Sequence, residues 1–256
     1  MNRISYSSLM ALLLLLSLLL PKLSFSAEIN LAAANSTCKA IRQIGDSYKQ
    51  RTGININYIC KSSGRLAKGL NGNTIQADAY ISANKKWMDY MIKHGLMDAS
   101  HVTSPWGNEL VVAVPASSPI KMKSWQDLAG ADIKTILLGD PGTAPFGRYA
   151  KEALQHTGLW NDVRIKVVTK KHITLLAETL ANSGPNTVGI LFKSNTTDKL
   201  RVLFPVDATW HSPIRYFMGP VGNAVENPVV MDLLTYMQEQ ESREIFRASG
   251  FKLDAE

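Results

Sequence analysis

The chain has 256 residues, 45% hydrophobic and 19% charged, with a formal net charge of +7. That length builds either one large domain or two lobes, and two lobes are expected here. The 28 lysines and arginines are spread along the chain rather than gathered into blocks, which argues against a nucleic-acid-binding surface and leaves a basic exterior that favours encounters with anions.

Met1-Asn2-Arg3 supplies a charged start, residues 9–20 a leucine-rich apolar run, and Ser24, Ser26 and Ala27 the small residues that follow. This order is that of a secretory signal peptide, and the run is shorter than the roughly 20 residues of a permanent membrane helix. Residues 1–26 are read as the signal. Cleavage after Ser26 puts small residues at both critical positions, whereas cleavage after Ala27 leaves Phe25 at one of them. No cysteine stands at the junction to carry a lipid, so a soluble periplasmic protein is expected; loss of Arg3 and Lys22 lowers its charge to +5.

From Glu28 onward strands alternate with helices. Residues 29–34 form a short apolar run, and Ile41, Ile44 and Tyr48 then recur at helical spacing until Gly53. Asn35 and Ser36 are candidate caps for that helix. A second strand is predicted over 54–60, a helix through Leu66, Ala67 and Leu70, a third strand over 79–82, and a helix through Trp87, Tyr90 and Met91. Residues 110–114 form a strand ending at Pro115, followed by a strand over 136–138, a helix over 144–155, a strand over 165–168, a helix over 175–180 and a strand over 188–192. Helices over 229–237 and 242–248 close the chain and are expected to pack back on the first lobe. Such alternation implies parallel sheets with helices on their faces. No internal repeat is present. The boundaries drawn are 27–108 plus 220–256 for lobe 1 and 109–219 for lobe 2.

Cys38 and Cys60 enter an oxidising compartment on export, and a bridge between them is expected; the alternative is two small buried hydrophobes. In sheets of this kind ligands lie beyond the carboxyl ends of the strands, where helix N-termini present unpaired N–H groups. Three loops have that character: 34–37, 61–64 and the glycine- and proline-rich 139–147. Taken singly, serine, glycine and asparagine at such turns are more often ordinary caps than ligand contacts.

The loops stand in a wider pattern. Ala32-Ala33-Ala34, Ser62-Ser63-Gly64 with Leu66-Ala67, and Ala77-Asp78-Ala79-Tyr80-Ile81-Ser82-Ala83 running into Lys86-Trp87-Met88-Asp89-Tyr90 come first. Gly139-Asp140-Pro141 with Pro145, Gly147 and Tyr149-Ala150-Lys151-Glu152-Ala153-Leu154, then Val188-Gly189-Ile190, Ile245-Phe246 and Gly250-Phe251 follow. In this order and spacing the chain resembles the periplasmic molybdate-binding proteins of ABC transporters over nearly all of its mature length. The resemblance implies a periplasmic binding protein type 2 fold, two α/β lobes with a ligand cleft between them. It further implies that molybdate or tungstate is held by neutral hydrogen-bond donors, because a buried dianion needs a donor at each oxygen. Carried over by position, the family's two loop serines fall on Asn35 and Ser63, its second-lobe N–H contacts on Phe146 and Ile173, and its ligand-contacting tyrosine on Phe192. Ser62 and Arg65 are additional candidate contacts; Lys61 and Arg65 flank the same loop, and the alternative for both is that they face solvent. Two positions depart from the family: Asn35 is longer than serine, and Phe192 lacks the hydroxyl.

No cofactor is expected beyond the ligand. The expected partner is an ABC permease in the inner membrane, with the protein a monomer. The five histidines, among them His172, have no metal-ligand spacing, no G-x-S-x-G elbow is present, and an enzyme is not expected. Two rivals stand beside the molybdate reading: the same scaffold retuned to sulfate, a phosphate ester or a small carboxylate, and an exported receptor or adhesion module without a transport role.

Overall fold

A computed structural model of the chain describes residues 28–253, so the expected signal peptide lies outside the described residues. The molecule is organised around the parallel pair β1 (Glu28–Ala34) and β2 (Asn55–Lys61), in register from Glu28 opposite Asn55 to Ala34 opposite Lys61. Helix α1 (Cys38–Thr52) joins them, burying Ile41, Ile44 and Tyr48 at the predicted spacing. It stops at Gly53, whose φ of 76° is the left-handed turn that glycine adopts without Cβ strain. Its N-cap is Thr37 rather than Asn35 or Ser36, and the Thr37 hydroxyl donates to Ala34 O at 2.8 Å. Cys38 and Cys60 are bridged, tying the first turn of α1 to β2. A loop with a sequence separation of 22 is worth about 3 kcal/mol by chain entropy.

β3 (Ala79–Ser82) lies parallel on the other side of β1. Helices α2 (Ser63–Asn71) and α3 (Lys85–Lys93) cover one face of this sheet, where Leu66, Leu70, Trp87 and Met91 close on Ala32 and Tyr80. The predicted parallel arrangement holds for β2, β1 and β3 and then changes. β10 (Arg215–Pro220) enters antiparallel between β3 and β4 (Thr103–Gly107), and β11 (Lys252–Leu253) adds antiparallel to β4, giving the order β11-β4-β10-β3-β1-β2.

The second sheet is also mixed, in the order β7-β6-β8-β5-β9. β6 (Thr135–Gly139) is parallel to β7 (Val167–Lys170) and β8 (Thr187–Phe192), while β5 (Leu110–Pro115) is antiparallel to β8 and β9 (Leu200–Pro205). β7 begins two residues later than predicted because residues Arg164–Lys166 coil into a 3-10 turn. Around this sheet run α4 (Pro145–His156), the single turn α5 (Trp160–Val163) and α6 (Ile173–Ala181).

The chain crosses to the second sheet through Asn108-Glu109 and returns between β9 and β10. Residues 215–219, assigned to the second lobe from sequence, therefore belong to the first: Phe217 sits opposite Ser82 and Pro220 opposite Ala79. The return strand is specified by partners far away in the chain, which its local pattern does not reveal. Helices α7 (Pro228–Tyr236) and α8 (Gln240–Ala248) pack back on the first lobe as expected. Tyr48 Oη donates to Asp232 at 2.8 Å, and Phe246 stacks on Trp106 with ring centroids 4.0 Å apart.

Candidate functional site

The carboxyl ends of β1, β2 and β3 face those of β6 and β8 across the gap between the sheets, and the loops leaving them enclose one small pocket. It is bordered on the first lobe by Asn35, Ser36, Ser62, Ser63 and Ala83, and on the second by Phe146, His172, Ile173 and Phe192. No lysine, arginine, aspartate or glutamate lines it. In this arrangement it admits a water-sized sphere over about 10 Å³, room for about one water. The lobes meet around it: Gly64 N–H donates to Thr143 O at 3.2 Å, and Tyr149 Oη lies 3.4 Å from Ala83 O.

Each donor has a local origin. Ser63, at the first position of α2, is fully buried, and its Oγ accepts from Ala83 N–H at 3.0 Å. That bond occupies an oxygen lone pair and leaves the hydroxyl proton to be donated elsewhere. Ser62, the N-cap of α2, is 4% exposed, makes no capping bond, and among the described residues its Oγ has no hydrogen-bond partner at all. Buried hydroxyls are normally satisfied, so an orphan on the wall of a pocket points to a partner supplied from within it. Phe146 and Ile173 occupy the first turns of α4 and α6, where N–H groups have no intrahelical acceptor and the helix dipole is positive. Asn35 is positioned by its main-chain N–H, which donates to Lys61 O at 3.0 Å and extends the β1–β2 pairing.

Two loops are stiffened from behind. Asp140 turns its carboxylate into its own loop, accepting from Gly142 N–H at 2.9 Å and Thr143 Oγ1 at 2.7 Å, so it offers no acceptor to the pocket. His172 caps α6, with Nδ1 accepting from Leu175 N–H at 3.2 Å, which puts the proton of the neutral ring on Nε2. Ser63 Oγ and His172 Nδ1 are thus each engaged by a main-chain amide and do not form a nucleophile–base pair.

The apolar side of the pocket is aromatic. Phe192 is fully buried, with Phe146 edge-on at 6.0 Å and Tyr149 and Tyr216 each at 6.2 Å. The Phe146 ring lies against Gly139, where a Cβ would collide with it. Behind Phe192, Tyr216 Oη donates to Ser36 Oγ at 2.8 Å and accepts from Asn108 Nδ2 at 3.2 Å. Burial pushes the Tyr216 phenol well above its usual range, so it stays protonated and able to donate.

The residues singled out from sequence thus separate cleanly. Asn35, Ser62, Ser63, Phe146, Ile173 and Phe192 all border the pocket. Arg65 does not: it is exposed, as is Lys61. At 3.6 residues per turn Arg65 is rotated about 200° from Ser63 and projects from the opposite side of α2. Ser36, Ala83 and His172 were missed as pocket residues. A cap position opening a helix after a strand was the signal for His172, but its type was read as background.

The family model for bacterial extracellular solute-binding protein matches residues 29–252. The chain is 29% identical over 242 residues to the molybdate-binding protein ModA of Escherichia coli strain K12, covering 90% of this chain and 91% of that one. Among solved structures it is similar to the substrate-binding domain of a putative molybdenum ABC transporter from Clostridium difficile, with a TM-score of 0.70, 25% identity, and coverage of 89% of this chain and 99% of that one. It also shares its fold with the periplasmic molybdate-binding protein of Azotobacter vinelandii, with a TM-score of 0.78, 18% identity, and coverage of 88% and 99%.

Proposed function

Because the chain belongs to the bacterial extracellular solute-binding protein family, we propose that it is the periplasmic receptor of an ABC importer and that its cargo is molybdate or tungstate. One observation carries this reading: hydroxyl, amide and helix-terminal donors from both lobes converge on a single pocket with no charged side chain on its wall. A dianion there is met by donors at fixed positions and by positive helix ends rather than by a counter-ion. The unsatisfied Ser62 hydroxyl supports the same assignment. A tetrahedral anion exceeds the space for one water, so the lobes part to admit it and close to a slightly wider setting. That ligand-dependent closure is the state an inner-membrane permease reads. Binding rather than catalysis is the proposed activity, and export through a cleaved signal peptide is its proposed route.

A thermal-shift panel of oxyanions tests the proposal. At 100 times its Kd a ligand specific to the folded state adds about 2.7 kcal/mol, and about 5–10 °C in Tm for a protein of this size. Molybdate and tungstate should give that shift, while sulfate, the smaller tetrahedron, should give little at equal concentration. No shift with either larger anion defeats the cargo assignment.

A further inference from the structure

A second and larger space lies between the lobes, where α3, α4 and the return crossover meet. It measures about 370 Å³, and Lys85, Lys86, Arg148 and Arg215 border it with no carboxylate among its lining residues. An adjoining surface cavity of about 350 Å³ shares Lys86 and Arg148 and adds Lys151 together with Glu152, the partner of Arg148. The Tyr149 hydroxyl, on Ala83 O, stands between this region and the small pocket, so the two are separate.

The cations differ in how they are occupied. Lys85 Nζ is paired with both oxygens of Asp89 at 2.6 and 2.8 Å, and Arg215 is held by Ser104. Arg148 gives its Nε to Glu152 Oε1 at 2.8 Å, and Glu152 Oε2 accepts from Ser212 N–H at 2.9 Å. Lys86 has no ion pair among the described residues; its ammonium rests 5.1 Å from the Trp87 ring centre, as Lys151 does 5.0 Å from Trp160. Lys86 belongs to the first lobe and Arg148 to the second. Lys85 and Arg148 each have a carboxylate partner on their own helix, so Lys86 brings unpaired positive charge to a cavity that both lobes line. An anion entering there meets Lys86 from one side and the Arg148 guanidinium from the other.

We infer that this interlobe cavity is a second anion site, taking a compact multivalent oxyanion such as a diphosphate that bridges Lys86 and Arg148 and holds the lobes shut. Such an ion stabilises the closed form without entering the first pocket, so its effect adds to that of molybdate.

The test is the pyrophosphate-induced rise in Tm of the mature protein at low ionic strength, with and without saturating molybdate. The wild type should show a rise in both conditions, and Lys86→Gln should weaken pyrophosphate binding about three- to fivefold while leaving the molybdate shift intact. Lys86→Glu, which sets a carboxylate against Arg148, should raise Tm without pyrophosphate and abolish the pyrophosphate response. Lys121→Gln, in a surface cavity of mixed charge elsewhere on the second lobe, should respond as wild type does. An undiminished response in Lys86→Gln, an equal loss in Lys121→Gln, or no pyrophosphate response in a protein that responds to molybdate overturns the second site. A protein that answers pyrophosphate through Lys86 but not molybdate refutes the proposed cargo and leaves the second site standing.

Discussion

Replacing Ser62 by alanine should weaken anion binding without weakening the fold. The Ser62 hydroxyl is buried, makes no cap for α2 and has no partner among the described residues. Burying such a group unsatisfied costs about 1–3 kcal/mol in protein mutational data. Removing it therefore leaves Tm of the unliganded protein unchanged, or raises it by ~2–4 °C for each kcal/mol recovered. With an oxyanion in the pocket the balance reverses, because a hydrogen bond to a charged group contributes about 1.5–3 kcal/mol. Its loss should raise the molybdate Kd about 10- to 150-fold. Calorimetric titration gives the second quantity and scanning calorimetry the first, on the same two preparations. A fall in unliganded Tm of several degrees, or an unchanged Kd, would refute the reasoning that this hydroxyl is reserved for cargo.

Three further outcomes follow from the structure. Cys38→Ser/Cys60→Ser, or reduction of the bridge, should destabilise the protein by about 3 kcal/mol in denaturant titration, since a closed loop in the unfolded chain is released. Gly147→Ala should cost about 1–3 kcal/mol of stability and blunt oxyanion binding, because a Cβ there would collide with the Gly139 carbonyl and displace the α4 terminus carrying the Phe146 amide; urea denaturation and titration check both. Glu109 is held below the usual carboxylate range chiefly by Lys193 Nζ, against its burial and with help from Lys252. Its native pKa is lowered, so its contribution is present above the unfolded value of about 4.3 and is lost as pH falls through the native one. Glu109→Gln should flatten the acid limb of the Tm–pH profile below about pH 4, and an unaltered limb would count against that ion-pair cluster.

Much of this was legible from residues alone, for identifiable reasons. Ile41, Ile44 and Tyr48 sit at helical spacing and end at a glycine, so α1 announces itself locally. Six residues carried over by resemblance or adjacency meet at one pocket because strand-to-helix loops in such sheets share one edge. β10 was illegible because its place depends on β3 and β4, and Arg215–Pro220, with glycine and proline at its end, does not read as a sheet interior. Arg65 was a possible contact with solvent exposure as its alternative, and rotation along α2 places it exposed, on the side away from Ser63. His172 escaped notice because an imidazole cap depends on one ring nitrogen meeting one amide, a geometry no spacing rule encodes.

The phenol of Tyr216 has a mechanical consequence. It touches Ser36 in the first pocket loop, while Asn108, at the crossover between the lobes, reaches both that phenol and Ser194 Oγ on the opposite half, the latter at 2.7 Å. The pocket loop and the interlobe crossover are therefore neighbours, joined by two hydrogen bonds through one phenol, with a third running from Asn108 to the other half. Under the proposed function, an ion that displaced the Ser36 loop would strain these bonds at the crossover itself, with no relay through the body of either half.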